Sequence, residues 1–335
     1  MRKYSGVIIV VSAVLVAFAG TASAAQWANP DILVTPAIVE KNVTKPGWVV
    51  VDCRDLKHYA KGHIPGAISL GKRCKKALRD ATSRVFTSAK RYERLFGKAG
   101  IGNNTHVVFY GEQKSKTLND ATVGFWILEY LGHDKVHVLN GGLEAWKQER
   151  KKLVRKPSRK KATTFKARVT KSRSSTTEEI LQIARGQKRG VQLIDSRTKK
   201  EYAGTDIRSL RGGRIPNCTL QVSHVDTYDQ KKDPKTGKSV ATSFLSPERV
   251  SNIYKKLNKN KRTIAYCQTG TRSTLTYMEL RLLGYKNPAN YDDSWIIYGS
   301  NARFPVAGEQ SINLARIKKL EDKIKKLEKQ LQKKK

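Results

Sequence analysis

The chain repeats itself. Val51-Asp52-Cys53-Arg54 returns as Ile194-Asp195-Ser196-Arg197, 143 positions later. Each copy follows a short apolar run, Trp48-Val49-Val50 and Val191-Gln192-Leu193, the pattern of a buried strand that ends in a polar turn. Tyr59 and Tyr202 stand at the same offset. His63-Ile64-Pro65-Gly66-Ala67 and Arg214-Ile215-Pro216-Asn217-Cys218 lie 151 positions apart. Val107-Val108-Phe109-Tyr110-Gly111 and Thr263-Ile264-Ala265-Tyr266-Cys267 lie 156 apart, and Leu131-Gly132 and Leu283-Gly284 lie 152 apart. Anchors in one order with slowly drifting offsets require two homologous domains. The drift predicts eight extra residues in the second copy between Tyr202 and Arg214. Five more are expected before Thr263, in the loop Gln230 to Ser243.

Within each copy, short apolar strands alternate with longer stretches of helical spacing, Thr117 to Leu131 and Ser273 to Leu283. Ser246-Pro247-Glu248 has a cap residue followed by proline, a helix start. This alternation predicts an α/β fold of two homologous domains, each a parallel sheet flanked by helices. At 335 residues with 39% hydrophobic content, the chain is long enough for two such cores.

Charge marks the remaining segments. Lys and Arg total 66 against 28 Asp and Glu, a net +38, so the chain attracts anions. Residues 151–173 are expected to form a basic, solvated linker between domains at 28–150 and 174–310. From Lys147 to Arg173 there are 13 basic residues and one acid, Glu149. Residues 311–335 are expected to form a basic amphipathic helix or short coiled coil. Leu314, Ile317, Leu320, Ile324, Leu327 and Leu331 follow near-heptad spacing. A net +7 from Arg316 to Lys335 opposes self-pairing, which favours an acidic partner or an anionic membrane surface over a homodimer. The oligomeric state is left open.

Residues 1–24 read as a signal peptide. Arg2 and Lys3 precede an apolar run from Val7 to Ala19, and Ala22-Ser23-Ala24 is a cleavage-site pattern. The run is shorter than a membrane span. Export to an oxidising compartment, a bacterial periplasm, is the expectation. Nucleic acid is not an expected partner of an exported chain without aromatic stacking motifs. Four cysteines are too few for a disulfide-framework protein, and whether Cys53, Cys74 and Cys218 form a disulfide is left open.

Ligands of parallel sheets bind beyond the carboxyl ends of the strands. Cys267 stands there, opening the turn Cys267-Gln268-Thr269-Gly270-Thr271-Arg272-Ser273 between an expected strand, Arg262 to Tyr266, and a helix. Backbone N–H groups of such a loop converge on an anion, and a helix N-terminus depresses a thiol pKa. Gly270 permits a tight path, and Arg272 is expected to face an anionic substrate. Gln268, Thr269, Gly270, Thr271 and Ser273 are the expected substrate-binding residues around a reactive Cys267.

On these residues the chain resembles the tandem-domain rhodaneses, the thiosulfate sulfurtransferase family, over about residues 28 to 310. The resemblance is carried by Gly62-His63-Ile64-Pro65-Gly66-Ala67, Asn140-Gly141-Gly142-Leu143-Glu144-Ala145-Trp146, Asp195-Ser196-Arg197, the Cys267 loop and Tyr291-Asp292-Asp293-Ser294-Trp295. It implies a catalytic second domain and a first domain without the nucleophile, and Gly111 does stand where Cys267 stands. It further implies sulfur transfer from a small anionic donor such as thiosulfate, through a Cys267 persulfide, to a thiol or cyanide acceptor. No metal or organic cofactor is implied. The shorter loop separates the chain from cysteine-based phosphatases. Thr269 and Glu201 stand where thiosulfate-preferring members carry cations, which weakens the case for thiosulfate; Arg208, Arg211 and Arg214 are candidates to compensate. A persulfide carrier without free turnover, or a basic interaction protein on a rhodanese scaffold, are the alternatives. Cys53 reads as a small buried residue, Cys218 as bland rather than resolving, His63 as structural, and His133 and His137 as no metal pair.

Overall fold

The computed structural model describes residues 26–79, 88–113, 116–232, 237, 239–309 and 311–332. The expected signal peptide, 1–24, lies outside them. The first domain is a parallel sheet in the order Leu33–Val34, Val136–Leu139, His106–Tyr110, Trp48–Asp52, Ile68–Ser69. The second repeats it as Asn287–Asn290, Arg262–Tyr266, Gln192–Asp195, Leu220–Gln221, again parallel. A single parallel bridge from Ser174 to Asn290 stands where the first domain has its edge strand.

The duplication extends to buried polar groups. Arg54 grips Asp52 with Nη2 at 2.6 Å and donates to the Gly62 carbonyl; Arg197 grips Asp195 at 2.7 Å and donates to the Gly213 carbonyl. Tyr110 and Tyr266 hydroxyls each accept from the amide of the isoleucine in the Ile-Pro turn, Ile64 and Ile215, at 3.3 Å. Burying a charge this deeply is tolerable only when it is paired and hydrogen-bonded, as both arginines are.

The domains meet through helices Leu118–Tyr130 and Ser273–Leu282. Both are buried almost all round, because each lies between its own sheet and the other helix. Thr122 and Thr274 hydroxyls share a hydrogen bond of 2.8 Å, and Glu129 accepts from Tyr277 at 2.5 Å and Arg281 at 3.0 Å. The Ser246 cap forms as expected, its hydroxyl accepting from the Arg249 amide at 3.4 Å.

Three expectations gain detail. Residues 151–173 are mostly exposed, but they run along the first domain, with Phe165 buried against Phe96 and the Thr163 amide donating to the Gly97 carbonyl. Lysine and arginine stems cover apolar surface while their heads stay in water, which is how so basic a segment packs. The loop Gln230 to Ser243 contains an antiparallel hairpin, Tyr228–Lys232 with Ser239–Phe244. It leans on the first domain through Tyr228 and Asn119, 3.1 Å apart. Cys53 is buried, but it is also bonded to Cys74. The C-terminal helix, Leu314–Gln332, forms and leaves Leu314, Leu320, Ile324, Leu327 and Leu331 exposed.

Candidate active site

Strand Arg262–Tyr266 delivers Cys267 to the carboxyl edge of the second sheet, where it is wholly buried. Its amide donates to the Ser294 hydroxyl at 3.1 Å, and its carbonyl accepts from the Trp295 amide at 3.0 Å. The Ser273 hydroxyl donates to Sγ at 3.5 Å. Burial alone would push this thiol up. The charge of Arg272, the Ser273 hydroxyl and the amides of Ser273 and Thr269 outweigh it, so the thiol sits below its ordinary value. Gly270 has φ +72, and a side chain there would meet the Asp292 carboxylate at 2.4 Å. Only glycine takes this turn without strain.

Arg272 is not a free cation. Both ends of its guanidinium bind Glu201, at 2.7 and 2.8 Å. Burial would raise the Glu201 carboxyl, but Arg272 holds it at about 2. The glutamate read as a lost cation is therefore the partner that fixes Arg272 beside the sulfur. It also caps its own helix, Lys199–Ala203, through the Thr198 hydroxyl.

The other expected residues divide. Thr269 and Ser273 act on the thiol. The Gln268 side chain turns away to the Ser209 hydroxyl at 2.8 Å and the Arg208 carbonyl, and the Thr271 hydroxyl accepts from Arg79 at 2.7 Å. Of the three candidate compensating cations, Arg211 donates to the carbonyls of Gly299, Asn301, Ala302 and Phe304, and Arg214 lies 4.5 Å from the Tyr202 ring. Arg208 alone reaches the cleft. Cys218 donates to two carbonyls, and burial, helped by Asp195, pushes its thiol up to about 12. That removes it as a resolving thiol at neutral pH. No cluster with metal-ligand geometry occurs among the described residues.

Above the loop lies a cleft of about 630 Å³ between the domains. Arg272, Arg208 and His224 line it from the second domain, Lys75, Lys116 and Asn119 from the first. Burial and Arg272 depress His224 to about 4, so it is neutral at pH 7. Sequence reasoning missed Lys75, Lys116 and His224. They sit far from the loop in sequence and belong to no motif of the repeat.

The first domain has lost more than a thiol. A Cβ on Gly111 would come within 2.1 Å of the Thr117 carbonyl oxygen, so the equivalent loop has closed over its own centre. Gly111→Cys is expected to lower the melting temperature by several degrees and to gain no persulfide; mass spectrometry after donor exposure checks it.

Comparison with known proteins fits this geometry. The rhodanese-like domain family matches residues 35–149 and again 177–296. A putative thiosulfate sulfurtransferase of Saccharopolyspora erythraea is 32% identical over 84% of this chain and 97% of its own length. The thiosulfate sulfurtransferase of Corynebacterium glutamicum is 29% identical over 86% and 94%, and the sulfur carrier protein TtuD of Thermus thermophilus 29% over 85% and 99%. Among solved structures, the anaerobic ergothioneine biosynthesis enzyme of Chlorobium limicola superposes with a TM-score of 0.72 at 20% identity, covering 84% of this chain and 71% of that one. That likeness concerns the fold alone. With two matched domains in tandem and curated relatives that are sulfurtransferases along nearly their whole length, the chain belongs to the rhodanese-like domain family, as a tandem-domain sulfurtransferase.

Proposed function

We propose that Cys267 carries the sulfur, that a small anion of the thiosulfate class supplies it, and that a thiol accepts it. The observation carrying this reading is a buried thiol held below its ordinary value by Arg272, which itself lines a cleft with cations from both domains. The thiolate attacks the outer sulfur of the donor. A new S–S bond forms to Cys267, the donor's own S–S bond breaks, and the electron pair leaves with sulfite. The loop amides and Ser273 stabilise the terminal sulfur anion of the persulfide. An acceptor thiolate then attacks that sulfur, and Cys267 returns as thiolate. Lys75, Lys116 and Arg208 draw in the anion and screen its approach. The test is intact-mass spectrometry after thiosulfate exposure: the gain of one sulfur, lost again on adding a thiol, is expected. Wild-type protein that gains no sulfur overturns the reading.

Export is part of the same proposal. The Cys53–Cys74 bond suits an oxidising compartment, and the first two dozen residues suit a cleaved signal. Cell fractionation with N-terminal sequencing of the mature protein checks it, and a cytoplasmic chain that retains Met1 overturns it.

For the tail, self-association is a second reading beside docking to an acidic partner or anionic surface, since +7 on each copy opposes pairing. Ile317 and Ile324 occupy heptad positions a, and Leu320 and Leu327 positions d, the pattern of parallel two-stranded coiled coils. Glu321 and Glu328 flank the seam on one side and Lys323 on the other. In a parallel pair Lys323 meets Glu328 of the second copy, whereas an anionic bilayer would meet the carboxylates. Deleting residues 314–335 is expected to abolish a dimer seen by sedimentation and to leave turnover unchanged. The truncation keeps Asn313, whose amide donates to the Leu210 carbonyl and pins the insertion beside the site. A salt-sensitive monomer that binds anionic vesicles through the tail overturns the dimer.

A further inference from the structure

Arg79 belongs to the first domain, yet its guanidinium is wholly buried in the second. Nη1 donates to the Thr271 hydroxyl at 2.7 Å and to the Thr269 carbonyl at 3.4 Å. Nη2 donates to the Gly270 carbonyl at 2.8 Å and to the Asp292 carboxylate at 2.6 Å. Three consecutive residues of the Cys267 loop are thus held by one side chain. A trans peptide is planar, with its C=O and N–H pointing opposite ways. Fixing the Thr269 and Gly270 carbonyls on Arg79 therefore aims the N–H groups of Gly270 and Thr271 away from it. The loop can neither flip these peptides nor drift from Asp292 without stranding a buried cation, which is strongly unfavourable.

What holds Arg79 is a short chain of contacts. It follows the helix Cys74–Ala77 and buried Leu78. Cys74 is bonded to Cys53, whose amide donates to the Tyr110 carbonyl at the end of the central strand His106–Tyr110. The Leu78 carbonyl accepts from the Tyr92 hydroxyl at 2.5 Å, and the Ala77 carbonyl from Arg91 at 2.9 Å. The helix has only four residues, too short to hold its place alone. A crosslink at its first residue ties it to the sheet.

We infer that Arg79 is a positioning residue of the sulfur site, supplied by the domain that has lost its own nucleophile, and that the Cys53–Cys74 disulfide keeps it in place. The first domain is then a working part of the cradle rather than a spacer. The inference rests on Cys267 as the reacting thiol, and its test separates the two.

The variants are Arg79→Gln, Arg79→Gln with Asp292→Asn, and Cys53→Ala with Cys74→Ala. The double variant removes both charges of the Arg79–Asp292 pair, so it separates the loss of the loop contacts from the loss of charge balance. The first readout is the pH midpoint of the Cys267 thiolate, from ultraviolet absorbance taken as a difference against Cys267→Ser. The second is the single-turnover rate of sulfur loading from thiosulfate. The Arg79 variants are expected to raise the midpoint by about one unit and slow loading by about tenfold, with near-UV circular dichroism unchanged. The disulfide-free variant should do the same, and adding Arg79→Gln to it should change little more, as expected of groups acting in series. A folded double variant with wild-type midpoint and loading overturns the role of Arg79. A disulfide-free variant that stays wild-type, and in which Arg79→Gln keeps its whole effect, overturns the role of the disulfide. Wild-type protein that shows a normal thiolate titration but never loads sulfur refutes the sulfur reading instead.

Discussion

Cys267→Ser is expected to abolish persulfide formation, cutting sulfur transfer by about a thousandfold or more, while the melting temperature stays near wild type. An alcohol cannot hold a sulfane sulfur. The substitution changes one atom in a site whose other hydrogen bonds run through the backbone: the amide to Ser294 and the carbonyl from Trp295 survive it. Mass spectrometry after thiosulfate exposure, beside steady-state transfer to cyanide, checks the outcome. Transfer near the wild-type rate in the variant would move the chemistry elsewhere. Cys218 cannot take over at neutral pH, because its thiol is pushed up to about 12.

Arg272→Ala is expected to have the second largest effect, through two separable routes. The cation that most lowers the Cys267 thiol disappears, so the midpoint of its thiolate titration rises. Loading is then slow at neutral pH and partly restored as pH rises. Glu201 also loses its bidentate partner and keeps Arg208 at 3.3 Å and the Thr198 amide and hydroxyl at 3.1 Å. Breaking a buried pair costs up to about 3–5 kcal/mol, and the contacts that Glu201 keeps with Arg208 and Thr198 offset part of that. The sign follows from Glu201 itself. Its native pKa, about 2, is below its unfolded value, so the pair contributes stability above pH 4.5 that is lost as pH falls toward 2. Arg272→Ala should therefore melt lower than wild type at pH 7, with a difference that narrows in acid. Glu201→Gln combined with Arg272→Ala separates the routes: it should recover the melting temperature and leave the thiol midpoint high. Melting curves and thiolate titrations of the two variants decide this, and a double variant with a wild-type midpoint would make Arg272 a brace only.

Much of this was legible in the chain because the duplication is written in short local motifs. Val51-Asp52-Cys53-Arg54 and its copy at Ile194 encode a strand end and a buried arginine that each copy must bury in the same way. The loop from Cys267 to Ser273 was legible for the same reason, since its chemistry lies within seven consecutive residues. Gly111 in the first copy announced a missing nucleophile by position alone. Periodicity likewise located helices Leu118–Tyr130 and Ser273–Leu282 to within a residue.

Three-dimensional packing decided the rest. That Glu201 neutralises Arg272 depends on two residues 71 apart meeting at one strand edge. The eight-residue insertion places Ser209 and Arg208 against Gln268, and no spacing rule reports that contact. The basic run 151–173 shows its charge in the sequence, whereas the burial of Phe165 against Phe96, which lays the run along the first domain, is visible only in the fold. Arg79 is the clearest case. In sequence it is one of 66 basic residues and follows no motif. Only the meeting of the two domains, with a disulfide at its back and three loop residues in front, makes it part of the sulfur site. Local motifs determine which atoms are reactive; the long-range burial of charge, which pays only when partners arrive from elsewhere in the chain, determines what holds them.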